Sequence, residues 1–185
     1  MKFTISILAG LLWLGQTSAL AVEARDSLEA RQAGCTNPTL AVPFLRAFNA
    51  QVGDHFYTTD FGELVNAINN GGYASEGSAG SVFSAQTPSA FTVPFFRLFN
   101  PAVSDHFYTT SAAERNNAVA NGGYISEGTA ASVFATQVCG SVPLFRLFNP
   151  NINDHFYTTS APERDNAVAR GGYISEGTAA FVLPN

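Results

Sequence analysis

Hydrophobic and polar positions recur in one order three times along the chain, in gap-free units of 42 residues: Val42–Phe83, Val93–Phe134 and Val142–Leu183. In the second unit VPFFRLFN is aromatic and branched, with proline only near its start, which predicts a strand. Asn100-Pro101 opens a loop that ends near Ser104. DHFYTT supplies a second strand, so the pair predicts a hairpin. Strand alternation puts His106, Tyr108 and Thr110 on one face and Asp105, Phe107 and Thr109 on the other. Both faces carry an aromatic, so residue type does not choose the buried one. Ser111-Ala-Ala-Glu114 and Ser160-Ala-Pro-Glu163 are capping boxes, the second with Pro162 in the first turn, and Asp60 and Glu63 keep the same logic. A short helix follows, with Ala118 and Val119 (Ala167 and Val168 in the third unit) expected inward, and Gly122-Gly123 ends it. Tyr124-Ile-Ser-Glu-Gly then leads into a strand around Val133-Phe134.

The second and third units agree at 33 of 42 positions, the first and second at 27 of 42. Linkers of nine residues (84–92) and seven (135–141) are too short for independent beads. Units this small cannot each bury an aromatic face, so they share a core. Closing them on one another removes exposed strand edges. The expected fold is mainly β (β-rich α+β): a closed pseudo-threefold assembly of hairpin–short helix–strand units, propeller-like or trefoil-like.

The N-terminus changes the setting. Lys2, the apolar run Ile5 to Leu14 and Ala19-Leu20-Ala21 read as a signal peptide over residues 1–21. The run is too short for a membrane span. Residues 22–31 are charged, a propeptide processed at Arg31 or a disordered tail. Residues 32–185 form the expected single domain, a monomer secreted to the extracellular space. That part keeps six Arg against eleven Asp and Glu, a balance of −5. Nucleic acid and anionic membranes are poor partners for it, which leaves neutral or cationic ones. Cys35 and Cys139 each precede a unit start, and an isolated pair in an oxidising compartment predicts one disulfide.

Three repeated constellations carry the candidate chemistry. Asn49, Asn100 and Asn149 open the hairpin loops, and Asp54, Asp105 and Asp154 close them, which suits turn backbone satisfaction. With His55, His106 and His155 and with Tyr57, Tyr108 and Tyr157 they also make a polar cluster beside ring faces, the mix that sugar hydroxyls bind. The three histidines could instead converge as a zinc site with an open position. Arg46, Arg97 and Arg146 recur with Glu76, Glu127 and Glu176, as semi-buried structural pairs. Threefold repetition is the wrong symmetry for the single carboxylate pair of a glycosidase. No nucleophile elbow, zinc-protease or phosphate-loop motif occurs, and no cofactor is expected.

The run FRLFNPNINDHFYTTSAPERDNAVARGGYISEGTAAFV resembles a secreted repeat family of unknown function whose hallmarks are LYRLYNPNTGDHFYTT, AAERD and a closing GY-x-x-EG. The resemblance covers residues 42–183. It implies a secreted fungal or bacterial protein, of a kind often appended to hydrolases or cell-wall proteins, and assigns no catalytic residues. The first unit departs most, with Ala47, Ala50, Asp60 and Leu64. The residues and the resemblance together point to a non-enzymatic, multivalent binding protein for glycans or cell-wall polymers. A metal-dependent hydrolase built on His55, His106 and His155, and a secreted protein-interaction or effector role, are the alternatives.

Overall fold

The three sequence units become three copies of one chain path. The computed structural model describes residues 35, 37–88 and 91–185; the expected signal peptide and the 22–31 tail lie outside these. Residues 36–185 form one unit, described below. After a 3-10 turn at Pro38–Leu40 come β1 (Val42–Asn49), β2 (Asp54–Thr58), α1 (Phe61–Gly71) and β3 (Ala74–Val82). The second copy is β4 (Thr92–Asn100), β5 (Asp105–Thr109), α2 (Ala112–Asn121) and β6 (Ile125–Phe134). The third is β7 (Val142–Asn149), β8 (Asp154–Thr158), α3 (Ala161–Arg170) and β9 (Ile174–Val182). The fold is mainly β, with a curled, half-barrel sheet. No described helix is long and apolar enough to cross a membrane.

Each copy makes a three-stranded antiparallel ladder with its first strand in the middle, and the second and third ladders join as a six-stranded sheet of order β5-β4-β6-β9-β7-β8. Three contacts link the last strands in turn. Ser81 pairs with Leu183, Phe83 with Ser132, and Phe134 with Phe181. The first link returns from the third copy to the first.

Register slips beside the central arginine explain why the burial of these strands escapes simple alternation. The β4–β6 ladder shifts between Phe95 and Phe96 and again between Arg97 and Leu98. Phe95, Leu98 and Asn100 are therefore the buried positions of β4, spaced by three and then two. Gly128 sits opposite Arg97 at φ 92, a backbone that L side chains rarely adopt, as bulges require.

One core cluster draws equivalent residues from all three copies: Phe44, Phe95 and Leu144 with Tyr57, Tyr108 and Tyr157, among others. A smaller cluster holds Phe83, Phe134 and Leu183 with Val138 and Cys139 against it. Cys35 and Cys139 are both disulfide-bonded, and no cysteine is free.

The helices start as expected, from Asp60, Ser111 and Ser160. Their packing differs from expectation. Val119 and Val168 are 46% and 45% exposed, so these valines face outward and only Ala118 and Ala167 turn partly in. Long guanidinium groups cover the space instead: Arg115 lies 4.3 Å over the Phe96 ring and Arg164 4.3 Å over Phe145. In the first copy both partners change together, to Leu45 and a buried Leu64.

Candidate functional site

The DHFYT strands β2, β5 and β8 are buried on both faces, apart from a half-buried His155. On one face the three tyrosines meet edge to face, each pair of rings 5.5 Å apart. The Tyr57 hydroxyl donates to the Tyr157 carbonyl and accepts from its amide, both at 2.8 Å. Tyr108 brackets Tyr57 in the same way, and Tyr157 brackets Tyr108. Burial pushes all three phenols well above 10, with the nearby arginines opposing it only in part.

The other constellations also cross between copies. Asp54 accepts the backbone N–H of His106 at 2.8 Å on one oxygen and faces His106 Nδ1 at 2.6 Å with the other. Tyr73, from the strand entrance of the same copy, donates its hydroxyl to that second oxygen. Asp105 binds His155 and Tyr124 identically, and Asp154 binds His55 and Tyr173. Burial first, then the adjacent aspartate, raises the phenols of Tyr73, Tyr124 and Tyr173. The hairpin aspartates thus serve the next copy rather than closing their own loops. The loops are held by the asparagines: Asn100 accepts from the Ala102 N–H at 3.0 Å and donates to the Gly122 carbonyl at 2.9 Å, tying the turn to the end of α2. Asn49 and Asn149 do the same with Gly71 and Gly171.

The three imidazoles do not gather into a ligand trio. Among the described residues, the set of three metal-ligand-type groups whose atoms all lie within 4.8 Å of one another is Asp54, Asp105 and Asp154, all buried. Their oxygens are occupied by the histidine and tyrosine bonds just described. A shared three-histidine metal centre therefore has no geometric basis here.

Arginine joins the copies as well. Arg97 meets Glu127 of its own copy through Nε at 2.8 Å, as its recurrence predicts. Its two terminal nitrogens grip Glu63 of the preceding copy at 2.9 and 2.7 Å. Arg146 repeats this with Glu176 and Glu114. Arg46 repeats the bidentate grip on Glu163, while its Nε approaches Glu76 at 3.0 Å without a well-directed hydrogen bond. Burial pulls the guanidinium groups down, but the carboxylates outweigh it and hold them raised. Glu63, Glu114 and Glu163 are lowered in turn: burial opposes, and the arginine and threonine bonds win. These are the capping-box glutamates. Only half of each box survives, since Ser111 Oγ accepts the Glu114 N–H while the Glu114 carboxylate turns to Arg146 and Thr109.

Between α1 and the second copy this arrangement leaves an open cleft of about 310 Å³. Its floor is Phe56 and the Tyr73 ring; one wall carries Asn66 and Asn70, the other Arg97 and Glu127. The Asn70 amide donates to the Asn66 carbonyl oxygen at 2.8 Å, so the other half of each side chain stays available. The same contacts recur at the next two junctions. Arg146 lies 5.1 Å over Phe107 and Arg46 5.2 Å over Phe156, and Tyr124 and Tyr173 each stand 5.7 Å from those rings. Asn66, which lines the cleft, and its equivalents Asn117 and Asn166 lie outside the motifs that mark the hairpin residues. An exposed helical position that is asparagine in all three units was the available signal, because asparagine has no propensity reason to be there.

Residues 43–183 match the family described as a domain of unknown function, DUF5648, and the chain belongs to that family. No significant match was found among curated proteins or among solved structures.

Proposed function

We propose that this is a secreted, non-enzymatic binding protein of lectin type, with glycans or cell-wall polymers as ligands and with its sites at the junctions between copies. The observation that carries the proposal is the cleft at the first junction, where two neighbouring copies supply an aromatic floor, an exposed carboxylate and free amide groups, together with the recurrence of its ring and guanidinium contacts at the other two junctions. Sugar rings pack on such floors, and their hydroxyls need both donors and acceptors. The scaffold under this reading is a closed pseudo-threefold assembly, supported by the cyclic tyrosine, aspartate–histidine and arginine–glutamate bonds. Bridged cysteines support an oxidising, extracellular setting. Three weak sites on one chain gain affinity for a polymer by avidity.

The hairpin residues Asn49, Asp54, His55, Tyr57 and their equivalents take a supporting part in this proposal, since they position the cleft walls. His106 alone also reaches the first cleft. The test is titration of the purified secreted protein with soluble oligosaccharides and pull-down on insoluble polysaccharides. Binding that Asn66→Ala weakens while leaving the melting temperature unchanged supports the reading. Absence of binding to every neutral and acidic glycan overturns it.

A further inference from the structure

The three helices that border the junctions differ in charge at one equivalent position, the one that Asn70 fills beside the first cleft. Asn70 and Asn121 stand in the last turns of α1 and α2, where each donates to an asparagine one turn earlier at 2.8 Å. The corresponding residue of α3 is Arg170. Among the described residues five other arginines occur, and all have partners: Arg46, Arg97 and Arg146 hold glutamates, Arg115 covers Phe96, and Arg164 pairs with Asp165. Arg170 is exposed and has no hydrogen bond, ion pair or ring contact among the described residues. Asn166, one turn back, consequently keeps its whole amide free.

We propose that the third junction forms a site equivalent to the first cleft and specific for an acidic sugar, a uronic acid carried on an otherwise neutral glycan, with Arg170, at the position of Asn70, as the residue that determines this. The proposal rests on the reading of the junction clefts as glycan sites. Glu63 and Glu127 against Arg97, and Glu114 and Glu176 against Arg146, leave the first two junctions one negative charge each; Glu163 and Glu76 against Arg46 would leave the same at the third, and Arg170 balances it. A guanidinium fork matches a sugar carboxylate with two parallel charge-assisted hydrogen bonds. The free Asn166 amide stands beside it as a further donor. A long polyanion is disfavoured, because the protein as a whole carries −5. A single acidic residue within a neutral chain avoids that repulsion. A cation at a helix C-terminus is also favourable to the helix itself, and the test separates the two roles.

The experiment is calorimetric titration of the secreted protein with xylohexaose and with the same backbone bearing one glucuronic acid branch. The acidic sugar is expected to show one site about tenfold tighter than the neutral sugar, an advantage that shrinks with added salt. Arg170→Asn removes that advantage and leaves neutral binding intact. Asn70→Arg creates a second tight site for the acidic sugar. Equal affinity for the two sugars in the native protein, or an acidic advantage that survives Arg170→Asn, overturns the proposal while the glycan reading stands. A native protein that binds neither sugar overturns this proposal together with a site for this class of glycan. A fall in melting temperature on Arg170→Asn without any change in acidic binding assigns the residue to the helix alone and also overturns it.

Discussion

The hydroxyl of Tyr108 is the partner of both backbone groups of Tyr57: it accepts from the Tyr57 N–H and donates to the Tyr57 carbonyl, each at 2.8 Å. Those two groups lie in a fully buried stretch of β2, so nothing else replaces the hydroxyl if it is removed. Tyr108→Phe keeps the ring and its packing but orphans one donor and one acceptor. Two unsatisfied buried groups cost about 2–5 kcal/mol. For a domain of this size that is a loss of roughly 5–15 °C in melting temperature. Tyr57→Phe and Tyr157→Phe should each cost about as much, because each breaks an equivalent bracket. Differential scanning calorimetry of the three variants checks this, and a variant with unchanged stability would refute the bracketing role.

Alkaline titration reads the same residues from another side. All six tyrosines have phenols raised above their ordinary value of about 10. A raised folded-state value in an acid means that the neutral form is favoured by folding. The stability contributed is complete below about pH 10 and is lost as pH rises above it. Phenolate absorbance should therefore stay near zero past pH 10 and then appear cooperatively, coincident with loss of native circular dichroism. A gradual rise centred near 10 in the still-folded protein would contradict the bonding described here.

At the acid end the capping-box glutamates matter. Glu63, Glu114 and Glu163 are lowered by the arginines of the following copy. Their contribution is present above the ordinary carboxylate value of about 4.3 and is lost as pH falls through the depressed folded-state values. Stability should drop below about pH 4 for this reason among others. Glu114→Gln should flatten that drop, and at neutral pH it should weaken the junction only modestly, since the carboxylate is partly solvent-screened. Urea midpoints measured from pH 3 to pH 7 for both proteins decide it.

How much of this was legible beforehand varies with distance along the chain. The hairpins, helix starts and glycine stops follow from local signals, and each was placed by residues within a few positions of it. Arg97 with Glu127 was also readable, because the two recur together. Glu63 as the second partner of Arg97 was not: its local role as a helix-capping residue gave a sufficient explanation, and the actual partner comes from another copy. Asp54 misled in the same way, since an aspartate at a loop end ordinarily serves that loop, whereas this one binds His106. Val119 and Val168 face outward against their hydrophobic pattern because Arg115 and Arg164 do the covering, and a charged side chain on an aromatic ring carries no signature in such a pattern. The register slips beside Arg97 shifted the buried positions of β4 by one, which alternation cannot foresee.

Removing one copy tests whether the units depend on one another. Deletion of residues 142–185 keeps both cysteines but takes away Tyr157, Asp154 and Glu163. The Tyr57 hydroxyl then loses its acceptor, His55 its carboxylate and Arg46 its bidentate partner. On the other side Tyr108 loses the hydroxyl that binds its N–H, and Asp105 loses His155. Both remaining copies thus have a junction opened into water, with apolar core residues exposed along it. The shortened chain is expected to show no cooperative melting transition, while the full protein melts in a single one. A shortened protein that still melts sharply, or a full protein that melts in three steps, would show that the copies fold as separate units.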